Sequence, residues 1–291
     1  MEENYNPMKS VKKITILGVG FMGGSLARAL KKKFPSILVI GYARSKASYG
    51  KLIKLKIVDK LERSLAKAVV DSDIIILASP VLSIIEHFKK IAPHLKENAI
   101  VIDLGSSKEV IERAAEKHLP KKASFVGCHP LCGSDKSGAQ FFNPDLYKGS
   151  ICLITSAGGK GAKTIKEMWE KLGSKAVFIN SRQHDKMLSA TSHLTHLISF
   201  SLTDFVPKNY LKFAAASLKD LTRISNSPAN VWADIFLSNK KNVLNDLDKF
   251  VKTLVNFGQL IKKGKREDIV DYINHINKKH RTITHLAKQK L

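Results

Sequence analysis

The stretch from Lys13 to Leu30, KITILGVGFMGGSLARAL, constrains the fold of this chain more than any other. An apolar run of Ile14, Thr15, Ile16 and Leu17 leads into Gly18-Val19-Gly20-Phe21-Met22-Gly23, then into a helix-like segment from Ser25 to Leu30. Strand, glycine turn and helix in that order bring the unpaired N–H groups of the helix's first turn to the end of the strand. Such a helix end attracts an anion, and the G-x-G-x-x-G spacing fits the pyrophosphate of a dinucleotide. Gly18 permits the tight turn, Gly20 lets the backbone approach the phosphates, and Gly23 lets the helix pack on the strand. The bare motif is weak; the legible strand before it and helix after it give it weight. NAD or NADP is the expected ligand, held by Gly18, Gly20, Phe21, Met22 and Gly23.

The second strand, Ile37 to Tyr42, ends about twenty residues after the glycines, where an NAD site usually carries an Asp or Glu for the ribose 2′-hydroxyl. Here the chain reads Ala43-Arg44-Ser45-Lys46. A carboxylate would repel a 2′-phosphate, whereas Arg44, Ser45 and Lys46 pair with it, Arg44 bidentately. NADP is therefore the expected cofactor, with NAD the alternative.

Apolar runs and helical stretches keep alternating downstream. Asp73–Ala78 is a wholly apolar strand after its first residue, followed by Ser79 and Pro80 at the dinucleotide site and an amphipathic helix to about Ile91. Ala99–Asp103, Ser124–Gly127, Ile151–Ile154 and Ala176–Ile179 continue the series, with helices to about His118 and over Lys160–Leu172. This is the pattern of a Rossmann-type, doubly wound, mostly parallel sheet with ligands at the carboxyl ends of its strands. From about His184 onward only helical periodicities remain, as in Ile235, Leu237, Val243, Leu244, Leu247, Phe250, Val251 and Leu254. The expected organisation is a disordered tail over 1–10, a sheet domain over 11–182 and an all-helical domain over 183–291.

The 291 residues provide ample core without staples. Cys128, Cys132 and Cys152 are an odd number and lack metal-type pairing with histidines, so reduced thiols in a cytoplasmic enzyme and no metal are expected. No apolar run reaches membrane-spanning length, and MEENYNPMKS at the N-terminus has no secretory core. The net charge of +24 invites a nucleic-acid reading. The lysines, however, are spread over nearly every helix, and aromatics make up only 7% of residues, so no basic patch interleaved with stacking rings emerges. A solvated surface that helps steer an anionic substrate explains the charge without a nucleic-acid or membrane partner.

Several polar clusters stand where strands end or helices meet. Gly105-Ser106-Ser107-Lys108 follows a strand and opens a helix, a position that a serine also takes as a simple cap. His129 follows another strand; a lone histidine there is more often structural, but this one lies on the dinucleotide face. Ser192 and His196, four residues apart, share one face of a helix. Arg223, among otherwise apolar helix, is costly to bury without an anionic partner.

The ordered set GVGFMGGS, DLGSSK, GCHPLCGSDKSG, HDKMLSATSHLTH, DLTRIS and NVW resembles the prephenate/arogenate dehydrogenase family of tyrosine biosynthesis, over nearly the whole chain from about Lys12 to about Leu260. The resemblance implies a homodimer built through the helical domain, with the active site in the cleft between domains. It also implies hydride transfer from prephenate or arogenate to NAD(P) with loss of carbon dioxide. By position, His129 is then the catalytic histidine on the substrate's ring hydroxyl, and Ser106 the serine that shares that hydroxyl. Arg223 holds a substrate carboxylate, Ser192 and His196 line the pocket, and Trp232 and Asp220 shape or gate it. Asp135 is placed to attract arogenate's ammonium, although relatives that use prephenate also carry acidic residues there. The chain departs from many relatives at Thr195, where proline is common, and at Cys132, where small or aromatic residues are usual; neither should carry chemistry.

Two other readings remain open to the sequence. One is a two-domain dehydrogenase of the β-hydroxyacid type, which typically uses a lysine on a helix of its second domain, unlike a histidine at a strand end. The other is a non-catalytic dinucleotide sensor, which should lack His129, Ser106 and Arg223.

Overall fold

Continuous apolar runs become strands here because the sheet is covered on both faces. In the computed structural model, which describes residues 7–132, 138–155 and 159–288, the first part of the chain alternates strand and helix. It runs β1 (Lys13–Leu17), α1 (Phe21–Lys33), β2 (Leu38–Tyr42), α2 (Lys46–Leu55), β3 (Lys60–Glu62), α3 (Leu65–Val69), β4 (Ile74–Leu77) and α4 (Val81–Ile91). It continues β5 (Ile100–Asp103), α5 (Glu109–His118), β6 (Ser124–Pro130), β7 (Ile151–Ile154), α6 (Gly159–Lys171) and β8 (Lys175–Phe178). The strands form one sheet in the order β3-β2-β1-β4-β5-β6-β7-β8. All neighbours are parallel except β6 and β7, which run antiparallel with His129 opposite Leu153. Strand order reverses at β1, so the carboxyl ends of β1 and β4 flank the crevice in which such sheets bind ligands.

Successive side chains point to opposite faces. Ile14, Ile16, Ile74 and Ile76 pack into the core that Leu26 and Leu30 of α1 and Trp169 of α6 complete. Leu17, Ile75, Leu77 and Val101 pack into the other, with Ile84 and Phe88 of α4 and Ile111 of α5. Thr15 is the polar exception inside β1. Its hydroxyl donates to the Ala68 carbonyl (2.7 Å) and meets the Ser72 hydroxyl (2.8 Å), which satisfies it where no water reaches.

Two sequence expectations change. The expected disordered tail over 1–10 is ordered at its end: Pro7–Ser10 form a 3-10 turn, and the Met8 side chain is buried in the first core. The Met8 amide donates to Glu167 of α6 (3.3 Å). Residues 1–6 lie outside the described residues. The strand β3 was not expected, because a three-residue edge strand with one apolar member carries no periodic signal.

Beyond β8 the described residues contain no strand. The chain continues through α7 (Ser181–Leu188), a π-helical turn (Ser189–His193), α8 (Leu194–Phe205), α9 (Ala216–Thr222) and α10 (Ala229–Ser238). Two long helices follow, α11 (Lys240–Lys263) and α12 (Arg266–Lys288). The switch from sheet to helix near residue 180 is not where the compact units divide, since these are Met1–Asn239 and Lys240–Leu291. Helices α7 to α10 thus belong to the same unit as the sheet, while α11 and α12 make up the other. Several apolar positions of α11 that looked like core, Leu244, Val251 and Leu254, lie exposed. No described helix is long and apolar enough to cross a membrane.

Candidate active site

Helices α1, α4 and α5 each begin where a parallel strand ends, so their first-turn N–H groups gather at one rim. Two of the three ends are capped by carboxylates from the helical segment. Asp234 of α10 accepts from the Leu82 amide at the start of α4 (3.0 Å). Asp185 of α7 accepts from the amides of Lys108 (2.7 Å) and Glu109 (3.0 Å) at the start of α5. The third end, at α1, has Gly20 as its cap residue and no side-chain cap. One positive helix end is left free for an anion, and it is the one that carries the glycine turn.

The glycines fit that anion. Gly18 sits at φ +100°, and a Cβ there would stand 2.6 Å from the Ala78 carbonyl oxygen. A Cβ on Gly23 would fall 2.2 Å from the Gly18 carbonyl oxygen, so only glycine lets α1 pack this closely on β1. A Cβ on Gly20 would meet nothing within 4 Å, which leaves open space over the backbone where phosphates need it. Tyr147 fixes the adjoining turn by donating its hydroxyl to the Met22 carbonyl (2.7 Å).

A cavity of about 700 Å³ opens from this turn. Gly20, Phe21 and Met22 line one end, with Ser79 and Pro80 beyond β4. Ser106 from the β5–α5 loop and His129 from β6 line it too, as do Ser192, His196, Arg223 and Trp232 from the helical segment. Residues far apart in sequence and expected to act together therefore face one space. Arg44, Ser45 and Lys46 lie outside it, exposed at the β2–α2 junction, where Ser45 caps α2 by accepting from the Ser48 amide (3.1 Å). Asp220 is exposed on α9 and does not line the cavity, so the expected gating role finds no support there. Asp135 lies outside the described residues. Thr195 is exposed, and Cys132 lines the cavity, where burial pushes its thiol up to about 12 and keeps it protonated.

The electrostatics separate a neutral histidine from a free cation. Burial holds His129 well below the ordinary histidine value, helped by His184, Lys108 and His193, so the ring is neutral at neutral pH. Its Nδ1 lies 2.9 Å from Nε2 of His184. His196 is also lowered, chiefly by burial, and its Nδ1 donates to the Ser192 carbonyl (3.0 Å), leaving Nε2 as an acceptor. Arg223 was expected within a helix, where burial would call for an anionic partner. It instead begins a 3-10 turn, Arg223–Asn226, and is exposed. Among the described residues it makes no ion pair, so its guanidinium faces the cavity with its charge uncompensated.

The sequence reading missed Asp185, Asp234 and His184. Asp185 and Asp234 act on backbone amides 76 to 152 positions away, which no local pattern reveals. One signal was present: His184 lies four residues before Leu188, on the face of α7 that turns inward.

An open α1 end over a glycine turn, a neutral histidine across the cavity and an unpaired arginine beyond it define a class of protein, the nicotinamide-dinucleotide oxidoreductases acting on an anionic substrate. Comparison with known proteins narrows that class. A family model described as "Prephenate dehydrogenase, nucleotide-binding domain" matches residues 26–178, and one described as "Prephenate dehydrogenase, dimerization domain" matches residues 180–275. The prephenate dehydrogenase of Bacillus subtilis is 30% identical over 281 residues, covering 92% of this chain and 74% of that protein. The cyclohexadienyl dehydrogenase of Zymomonas mobilis is 29% identical over 257 residues, covering 85% and 87%. Among solved structures, prephenate dehydrogenase from Aquifex aeolicus, in complex with hydroxyphenyl propionate and NAD+, aligns with a TM-score of 0.88. That alignment has 32% identity and covers 94% of this chain and 99% of the other. The chain belongs to the prephenate dehydrogenase family, which sets aside the β-hydroxyacid dehydrogenase reading.

Proposed function

We propose that this chain oxidatively decarboxylates prephenate to 4-hydroxyphenylpyruvate, or arogenate to tyrosine, with NADP preferred to NAD, as a cytoplasmic homodimer. The observation that carries the reading is the pairing, across one cavity, of neutral His129 with uncompensated Arg223. The substrate is a cyclohexadienol whose ring carboxylate and hydroxyl sit on opposite carbons, so it needs one base, one anion anchor and a hydride acceptor. NAD(P)+, when bound, accepts the hydride from the carbinol carbon. His129 takes the hydroxyl proton as that carbon becomes a carbonyl, a task suited to a ring held neutral by burial. Ser106, half-buried beside it, shares the hydroxyl and fixes its direction. Arg223 grips a carboxylate, and His196 and Ser192 close the wall behind the ring. Loss of carbon dioxide then aromatises the ring, whose phenolate oxygen takes the proton back from His129, so the protein has mainly to position two reactants and hold one proton between the two steps.

The NADP preference rests on Arg44 and Lys46 standing where a carboxylate would select NAD. Arg44 is also close enough to His87 to add, after burial and Lys90, to the lowering of that ring. The His87 Nδ1 lies 3.4 Å from the Ser79 hydroxyl, which ties the basic junction to the cavity rim. The homodimer rests on apolar surface in residues 183–291, the proposed substrate and dimerisation segment. Phe205 is 80% and Phe213 74% exposed in the first unit, and Val255 and Ile261 are exposed in the second. Surface of that kind calls for a cover.

The test is dinucleotide reduction with prephenate, with arogenate and with a panel of hydroxyacids, using NADP and NAD in turn. Reduction with prephenate or arogenate, matched by carbon dioxide release, is expected. Dinucleotide binding without turnover of any substrate would leave a sensor instead.

A further inference from the structure

Helix α7 buries an adjacent His184 and Asp185, both almost wholly excluded from solvent, and the proton transfer described above uses neither. Their contacts form a directed chain. The Asp185 carboxylate accepts two amides at the positive end of α5, which favours the anion even though burial raises its carboxyl from the ordinary value. Its Oδ1 also lies 2.8 Å from Nδ1 of His184. A carboxylate only accepts, so Nδ1 of His184 carries the hydrogen. In a neutral ring that leaves Nε2 of His184 bare, and burial holds the ring neutral, down to about 2. The bare Nε2 lies 2.9 Å from Nδ1 of His129, which must therefore be the donor. His129 then keeps its hydrogen on Nδ1 and presents a lone pair at Nε2.

We infer that His184 and Asp185 are positioning residues that lock His129 in the tautomer whose bare Nε2 faces the substrate. The inference rests on the reading of His129 as the base. Without the chain, the ring is free to carry its hydrogen on Nε2, and a ring in that state donates to the hydroxyl instead of accepting from it. The same chain steadies the charge that develops. As the substrate O–H bond breaks and an N–H bond forms at Nε2, the hydride leaves the carbinol carbon with its electron pair for the dinucleotide. His129 becomes an imidazolium whose Nδ1–H still donates to His184, and when carbon dioxide leaves, the phenolate oxygen of the aromatised ring takes the proton back from Nε2. Lys108 is the nearest fixed cation, and Asp103 pairs with it in full burial. With His193 neutral as well, Asp185 supplies the one uncompensated negative charge behind the pair of rings. Asn239 anchors the arrangement by donating to the Asp185 carbonyl (2.7 Å) and toward Nδ1 of His193 (3.1 Å).

The experiment reads the ring nitrogens of His129 by ¹⁵N NMR in the full-length protein, alongside turnover. In the unsubstituted protein near neutral pH, Nδ1 should be protonated and Nε2 bare; a protonated Nε2 with bare Nδ1 overturns the inference and needs no variant. His184→Gln can present an amide oxygen to His129 and its NH2 to Asp185, whereas His184→Leu presents neither. Turnover should fall by about a hundredfold or more in His184→Leu, the range typical of a lost general base, with dinucleotide affinity kept. The tautomer signal should move toward the Nε2–H form in that variant, and His184→Gln should restore both in large part. Equal losses in the two variants, or an unmoved tautomer in His184→Leu, would reduce His184 to packing. If the unsubstituted protein turns over neither prephenate nor arogenate, the functional reading fails while the tautomer measurement still decides the chain.

Discussion

His196 lies flat against Trp232, with ring centroids 3.5 Å apart and planes 21° from parallel. Trp232 also meets His193 edge-on at 6.2 Å and Phe236 at 5.5 Å, so one indole joins α8, α10 and the π-helical turn into a single wall. The stacked pair lines the same cavity as His129. The π turn just before His196 is the kind of helix distortion that re-aims side chains at functional sites.

His129→Asn removes the base but keeps a small polar side chain at the end of β6. Turnover should fall by about 10²–10⁴-fold, the span of general-base assistance. The glycine turn and the open end of α1 are untouched, so dinucleotide affinity, measured by fluorescence titration, should stay close to that of the unsubstituted protein. A variant that keeps most of its turnover would assign the base elsewhere.

Arg44→Ala removes the cation that follows β2. It should weaken NADP more than NAD, because only NADP carries the 2′-phosphate. A charge-assisted contact is worth about 1.5–3 kcal/mol, discounted here because Arg44 is exposed, so a loss of about tenfold in NADP affinity is the expected scale. Equal weakening of both cofactors, or a native preference for NAD, would refute the assignment.

His193 couples this site to acid stability. Burial holds its ring down at about 4, against 6.5 when unfolded. Between these values the unfolded chain binds a proton that the folded one refuses, so stability falls as pH drops through that window. His193→Gln keeps an acceptor for Asn239 and removes the titration. Urea unfolding at roughly pH 7 and pH 5 should show the variant losing about 2 kcal/mol less than the unsubstituted protein on acidification. Parallel losses would mean the ring titrates normally in the fold.

What the sequence made legible follows from how locally each feature is determined. Strands β1, β4 and β5 could be read because burial on both faces leaves runs made mostly of Ile, Val and Leu, unbroken in β4. The glycine turn could be read because Gly18 and Gly23 answer to steric demands within one motif. Edge strand β3 and the turn at Pro7–Ser10 were missed, since Lys60-Leu61-Glu62 is mostly polar and Met8 is one apolar residue in a polar tail. The periodicity of α11 was legible as a helix, but it did not say that Leu244 and Leu254 would be left exposed. Ser106 offered itself as a cap for α5, yet the cap is Asp185, set by a tertiary approach across 77 positions. Family resemblance assembled the cavity residues; the carboxylates that hold the cavity's helices in place had to be seen in space.

Arg223 tests the anion anchor. It is the sole arginine between Arg182 and Arg266, it lines the cavity, and among the described residues it has no ion-pair partner, Asp220 included. A cation held free at a cavity wall has nothing to lose in the empty protein, so Arg223→Ala should leave folding stability nearly unchanged. The contact to a carboxylate exists in both the bound ground state and the transition state. Its loss should therefore raise KM with little change in kcat. Hydrogen bonds to charged groups contribute about 1.5–3 kcal/mol, which converts to roughly ten- to 150-fold in KM. Arg266→Ala, at the start of α12 and exposed, serves as the control for a simple loss of positive charge. If KM for prephenate and for arogenate stays unchanged in Arg223→Ala, the carboxylate is held by another group. If kcat falls as steeply as kcat/KM, the guanidinium acts on the reacting carboxylate in the transition state and not as an anchor.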